Sequence, residues 1–223
     1  MDKTVSVIMP VYSYARFLDE AIPSVLNQTI KAHEIIVVSD GAIDNSVEVA
    51  SKYPVRIIEK VNGGLSSARN AGIKEATGKY IVCIDGDDIM KPNFIEEHLK
   101  LMDEKSIVTC GLMAFGSESY TARPQKATIP ILLKTNVIYS NSMFPKQAWI
   151  DVGGYDECEL LRYGWEDREF WLRCLAHGYE SKVSMEITML YRRHGEAMSF
   201  KTANPHHKEL QDYIYNKNIH LLK

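Results

Sequence analysis

Hydrophobic positions in the first half of the chain fall into four short runs, 5–9, 34–38, 55–58 and 80–84, rich in Val and Ile. Runs of that length and β-branched content predict buried strands. Between them the spacing changes to the three-and-four period of helices. Residues 14–28 place Phe17, Ile22, Val25 and Leu26 near one face, with Pro23 expected to bend or end a turn. Asp44 is positioned to cap a helix carrying Val47, Val49 and Ala50, and residues 65–76 predict a third helix closed by Gly78. Strands alternating with helices predict an α/β fold with a largely parallel sheet covered on both faces.

Beyond residue 90 the pattern loosens. Pro92 opens a helix whose Phe94, Ile95, Leu99, Leu101 and Met102 face inward, and residues 107–110 form another strand candidate. From Leu112 to Asn136, interrupted by Gly116, Pro124 and Pro130, loops and short strands are expected. Residues 137–144 read as extended, 146–152 as helical and 165–176 as a helix ended by Gly178, with Gly153 and Gly154 breaking the chain between the last two. A late strand at 187–191 and a terminal helix at 209–222, carrying Leu210, Ile214 and Tyr215, complete the reading. The absence of repeats and low-complexity linkers predicts a single domain over 1–223, any boundary falling in the loose region after Cys110.

Composition narrows this picture. Hydrophobic residues make up 45% and charged residues 25%, the balance of a soluble globular chain. No apolar run reaches the roughly 20 residues of a membrane span, and no secretory signal opens the sequence, so a cytoplasmic protein is expected. Cys83, Cys110, Cys158 and Cys174 lack the spacing of a zinc site or a disulfide framework and read as free thiols. A formal charge of −3 gives no electrostatic case for nucleic acid.

The chemistry concentrates where the fourth run ends, in Asp85, Gly86, Asp87 and Asp88. Three carboxylates within four residues repel one another at the strand end where open α/β sheets bind ligands. Either a divalent cation compensates them, or they form a solvated turn capping the helix after Pro92.

Blocks on both sides of this turn decide between those readings. Residues 7–12, 38–41, 64–72, 84–88 and 165–167 (Trp-Glu-Asp), with a sixth block from Tyr191 through His194 to Ser199, resemble in order the inverting glycosyltransferases of family 2. The resemblance implies a GT-A fold: a Rossmann-like, mostly parallel central sheet flanked by helices, with a small late acceptor-side subregion. It implies a nucleotide-sugar-binding half over about 1–110, an acceptor half over about 111–200 and a C-terminal helix over about 205–223. The donor is expected to be UDP-linked, and the acceptor a saccharide or lipid-linked saccharide, with association at the inner face of a membrane.

By the same resemblance, Pro10, Val11 and Tyr12 wall the base and Asp40 accepts a hydrogen bond from it, although Asp40 before Gly41 is also an ordinary turn. Arg69 and Asn70 lie near the diphosphate and ribose, a guanidinium fork suiting phosphate, with a salt bridge as the alternative for Arg69. Asp85 and Gly86 face the ribose or metal water. Asp87, Asp88 and His194 are the candidate ligands of Mn2+ or Mg2+, cations that suit hard oxygen donors. Asp167 is the general base and Glu166 its neighbour in the catalytic pair, although acids also favour helix starts for dipole reasons. Ser13, Ser39 and Ala42-Ile43 depart from the family pattern, which keeps a noncatalytic nucleotide-sugar-binding module or scaffold as the alternative function.

Overall fold

The computed structural model describes residues 3–195 and 203–222. In chain order its elements are β1 (Val5–Val11), α1 (Ala15–Leu26), β2 (Glu34–Asp40), α2 (Ser46–Ala50), β3 (Arg56–Lys60), α3 (Leu65–Glu75), β4 (Tyr80–Cys83), β5 (Ile89–Met90), α4 (Phe94–Leu101), β6 (Ser106–Gly116), β7 (Tyr120–Ala122), α5 (Ile129–Leu132), β8 (Phe144–Pro145), α6 (Lys146–Val152), α7 (Glu166–Ala176), β9 (Glu180–Arg193) and α8 (His207–Asn218). Short 3-10 turns occupy Glu159–Tyr163 and Ile219–Leu222.

Residue parity explains the central sheet, whose order is β3-β2-β1-β4-β8. Val7, Met9, Val37 and Val82 join a core completed by Leu18, Ile22 and Val25 of α1 and Phe94 of α4. Their neighbours Ile8, Ile36, Val38 and Ile81 join the opposite core, with Ala68 and Ile73 of α3 and Phe170 and Trp171 of α7. Successive strand residues point to opposite faces, so a strand covered on both sides must be apolar throughout. The first four strands run parallel as predicted, and β8 pairs antiparallel to β4.

Helix α1 continues through Pro23, and Asn27 N closes it on Pro23 O at 2.9 Å. An interior proline costs about 3 kcal/mol, but α1 buries Leu18, Ala21, Ile22 and Val25, the larger residues each contributing roughly 1.5–3 kcal/mol. Burial outweighs the lost hydrogen bond. Asp44 stands one residue ahead of the cap position, where Oδ1 accepts Ser46 N at 3.1 Å and Oδ2 accepts Ala15 N at 3.0 Å, joining the starts of α2 and α1.

A second sheet, β5-β9-β6-β7, differs most from the sequence reading. Strand β9 extends from Glu180 to Arg193 and pairs in parallel with all of β6, which itself runs past Cys110 to Gly116. Polar residues along β9 hide it, because one side of this sheet is only partly covered. Residues 137–144 are not extended as expected: Ser142 N and Oγ both donate to Tyr139 O, at 3.0 and 2.7 Å, and turn the chain before the two-residue β8. No helix among the described residues is long and apolar enough to cross a membrane.

Candidate active site

A cavity of about 1280 Å³ opens at the carboxyl ends of β1, β2 and β4. Ligands of open α/β sheets gather at such ends because the strands stop there and the loops diverge. Pro10, Val11, Tyr12 and Asp40 line one part, Arg69, Asp85 and Asp87 the middle, and Asn136, Trp165, Glu166 and Asp167 the far side. Most of the residues singled out in the sequence therefore meet around one space.

Asp40 ends β2 almost fully buried, and its carboxylate is well supplied with donors. Lys60 Nζ and Gly63 N reach Oδ1 at 2.7 and 2.9 Å, and Gly64 N reaches Oδ2 at 2.8 Å. These bonds fasten the turn that opens α3, so Asp40 positions that helix as well as lining the cavity.

Arg69 takes the ion-pair alternative. Its guanidinium, 1% exposed, bonds Glu166 through Nη1 and Asp85 Oδ1 through Nη2 at 3.0 Å. Burial opposes its charge, but the two carboxylates win and hold its pKa well above the ordinary value. Asn70 lies outside the cavity lining: its Oδ1 accepts Trp149 Nε1 and Tyr155 N, and its Nδ2 donates to Tyr155 O and Glu157. A side chain with all its polar groups satisfied by residues 149–157 anchors that segment instead of facing a diphosphate. Gly86 is also tucked away, where a Cβ would stand 3.0 Å from Val11 Cγ1 and 3.3 Å from Leu18 Cδ2. Its place in the acidic turn is dictated by close packing.

The three acids separate by partner. Asp85 bonds Arg69, whereas Asp87 Oδ2 meets His194 Nε2 at 2.9 Å. Asp88, like His194, lies outside the cavity lining, and its Oδ1 accepts Arg192 N at 2.8 Å. That backbone bond fixes the turn against β9. Burial first, then the neighbouring carboxylates, push Asp87 up and Asp88 well up, with His194 opposing the shift at Asp87 and Arg192 at Asp88. The phenol of Tyr14, which also lines the cavity, is driven up by burial and the same three acids. Among the described residues no three His, Cys, Asp or Glu groups form a complete metal cage. Residues 196–199 of the late block lie outside the described residues.

On the far side, Trp165 adopts a left-handed conformation, φ 66°, and starts α7. Non-glycine residues pay about 1–3 kcal/mol for such backbone. It sets Glu166 and Asp167 in the first turn of a helix whose dipole favours acids. Asp167 Oδ1 accepts Arg168 N at 2.7 Å and Oδ2 accepts Asn136 Nδ2 at 2.8 Å. Burial and then Glu166 raise its pKa to about 7, against the lowering influence of Arg69 and those hydrogen bonds. A carboxyl poised there is suited to general base chemistry near neutral pH. Asn136 and Tyr14 escaped notice as site residues because neither belongs to an acid or glycine motif; only their place in the fold brings them to the cavity.

Two family descriptions match the chain: Glycosyl transferase family 2 over residues 6–163, and the N-terminal domain of galactosyltransferase over residues 135–201. A Rickettsia prowazekii (strain Madrid E) protein named Uncharacterized glycosyltransferase RP339 is 36% identical over 186 residues, covering 76% of this chain and 58% of that protein. The chain spans 18% to 58% of the length of the first three curated relatives it matches. Among solved structures, S. aureus TarS 1-349 in complex with UDP-GlcNAc has a TM-score of 0.73 at 19% identity, with 88% of this chain and 60% of that chain covered. The mannosyltransferase PcManGT from Pyrobaculum calidifontis, in complex with GDP-Man and Mn2+, has a TM-score of 0.72 at 16% identity, with 99% and 69% covered. At such identities the likeness establishes the GT-A architecture, a mixed α/β fold with a parallel sheet and flanking helices.

Proposed function

The chain belongs to glycosyl transferase family 2, and on that premise we propose that it transfers a sugar from a nucleotide-sugar donor, UDP-linked, to a hydroxyl of a saccharide or lipid-linked saccharide with inversion. The observation that carries this reading is one cavity bordered by Asp40 and Asp87 on the donor side and by Asp167 on the other. The UDP-GlcNAc of the TarS structure supports the choice of donor class.

In this mechanism Pro10, Val11 and Tyr12 flank the base and Asp85 lies toward the ribose. Asp167 accepts the proton of the acceptor hydroxyl as that oxygen bonds to the anomeric carbon. The bond from that carbon to the diphosphate oxygen breaks on the opposite face, and the nucleoside diphosphate leaves with the electron pair. Glu166, held by Arg69, stands beside Asp167 and raises the proton affinity of Asp167.

The residues present also fit a divalent cation. Asp87 and His194 juxtapose a hard oxygen and an imidazole nitrogen, Nε2, at 2.9 Å, a donor pair that such a cation takes. Mn2+ or Mg2+ held by these two side chains would neutralise charge gathering on the departing diphosphate. Mn2+ in the PcManGT structure supports this choice.

Release of UDP from UDP-GlcNAc with Mn2+ tests the assignment. Asp87→Ala and Asp167→Asn are each expected to lower kcat by about a hundredfold or more; turnover untouched by both replacements sinks the reading.

A further inference from the structure

We infer that Asn136 is a positioning residue that orients Asp167 for proton transfer, which rests on Asp167 being the base. Asn136 follows α5 in an irregular segment, 31 residues before Asp167, and lines the cavity beside it. Its Nδ2 donates to Asp167 Oδ2 at 2.8 Å. The other end of the amide fixes that direction, because Ile138 N donates to Asn136 Oδ1 at 3.4 Å. A flipped amide would set an N–H against an N–H, and a carbonyl against a carboxylate.

Asp167 Oδ1 is held separately by Arg168 N at 2.7 Å. One donor on each oxygen stops rotation of the carboxylate, yet leaves lone pairs for an acceptor hydroxyl. The segment presenting Asn136 is anchored in turn. Arg168 Nε donates to Leu132 O at 2.5 Å, Gln211 Nε2 to Leu133 O at 2.8 Å, and Thr135 N to Ile131 O at 2.9 Å. Thus α7 supplies the base and, through the next residue, also steadies the group that aligns it.

The charged and titratable groups acting on Asp167 are Glu166 beside it, Arg69 from α3, Tyr155 from the segment after α6, and Arg168 on α7. Replacing Asn136 by Ala removes a hydrogen bond to the ionised carboxylate and no charge. Loss of that bond weakens the ionised form, so the proton is held more tightly.

Carbon-13 NMR titration of the Asp167 carboxyl in the full chain reads this directly. The midpoint is expected to rise by about half a unit or more in Asn136→Ala, and further in the isosteric Asn136→Asp, which replaces the donor by a second carboxyl. The acid limb of UDP release from UDP-GlcNAc with Mn2+ should move by the same amount while UDP affinity stays within about twofold. Midpoints unmoved in the folded variants overturn the inference, and Asn136→Asp preserves the side-chain shape if Asn136→Ala does not fold. Asp167→Asn turning over as fast as the unmodified chain overturns the base reading and this inference with it. An inactive Asp167→Asn with unmoved midpoints overturns the role of Asn136 alone.

Discussion

Asp167 combines chemistry and instability in one side chain. Its carboxyl titrates at about 7 in the fold, against about 3.9 in an unfolded chain. Between those values the folded state holds a proton that the unfolded state has released, so this group lowers stability as pH rises from about 4 to 7, and the penalty is complete above that. Asp167→Asn, which needs no ionisation, should therefore unfold later than the unmodified chain by about 1–3 kcal/mol near pH 8 while losing activity. Urea denaturation at about pH 8 and pH 4 checks this, the gain nearly vanishing at the lower pH. Equal gains at both would trace the effect to something other than ionisation. Arg69 argues the opposite case. Arg69→Met leaves Glu166 buried beside Asp167 without its cation, and a loss of about 3–5 kcal/mol is expected in the same assay at pH 7. At this scale the sequence reveals residue types and their chemistry, but not their partners. The Arg69-Asn70 dipeptide resembles a donor-binding pair, yet adjacent helical residues point about 100° apart. One reaches Glu166 across the cavity floor, and the other fastens Tyr155.

Elements were legible where their surroundings are uniform. The parallel strands β1, β2 and β4 meet apolar helices on both faces and announce themselves as unbroken apolar runs. Strand β9 has no such uniformity, and Met185 and Glu186 fall where its register with β6 shifts, so only its last part reads as a strand. Helix α3 shows another limit, since its weak apolar pattern does not reveal how closely it lies on the sheet. An added Cβ at Gly72 would meet Ile8 Cγ2 at 2.5 Å and Val38 Cγ2 at 2.9 Å. Alanine gains about 1 kcal/mol of helix propensity there, but overpacking between a helix and buried strands costs typically 1–3 kcal/mol. Gly72→Ala is therefore expected to lower the urea midpoint despite the better helix former. A raised midpoint would mean that α3 can lift from the sheet without loss.

The two sheets meet at the acidic turn, and the site depends on their meeting. Asp87 follows β4 of the first sheet, whereas His194 follows β9 of the second. Arg192 joins them twice more, its N donating to Asp88 Oδ1 and its Nε to Asp87 O, both at 2.8 Å. The crowded acids are legible in the sequence, but the histidine that meets them is 107 residues away and becomes a partner only through strand pairing. If these two side chains hold a divalent cation against the donor diphosphate, affinity for UDP must depend on both metal and histidine. Calorimetry should find UDP bound about tenfold or more tightly with Mn2+ than without, a difference of about 1.4 kcal/mol or more. His194→Ala should retain the metal-free affinity, because it removes neither the base wall nor Asp40. Its gain from Mn2+ should fall to about threefold or less, since one protein donor is lost from the cation. An undiminished gain would assign the cation to the carboxylates without His194, and the imidazole would then serve as the hydrogen-bond partner of Asp87 across the joint between the sheets.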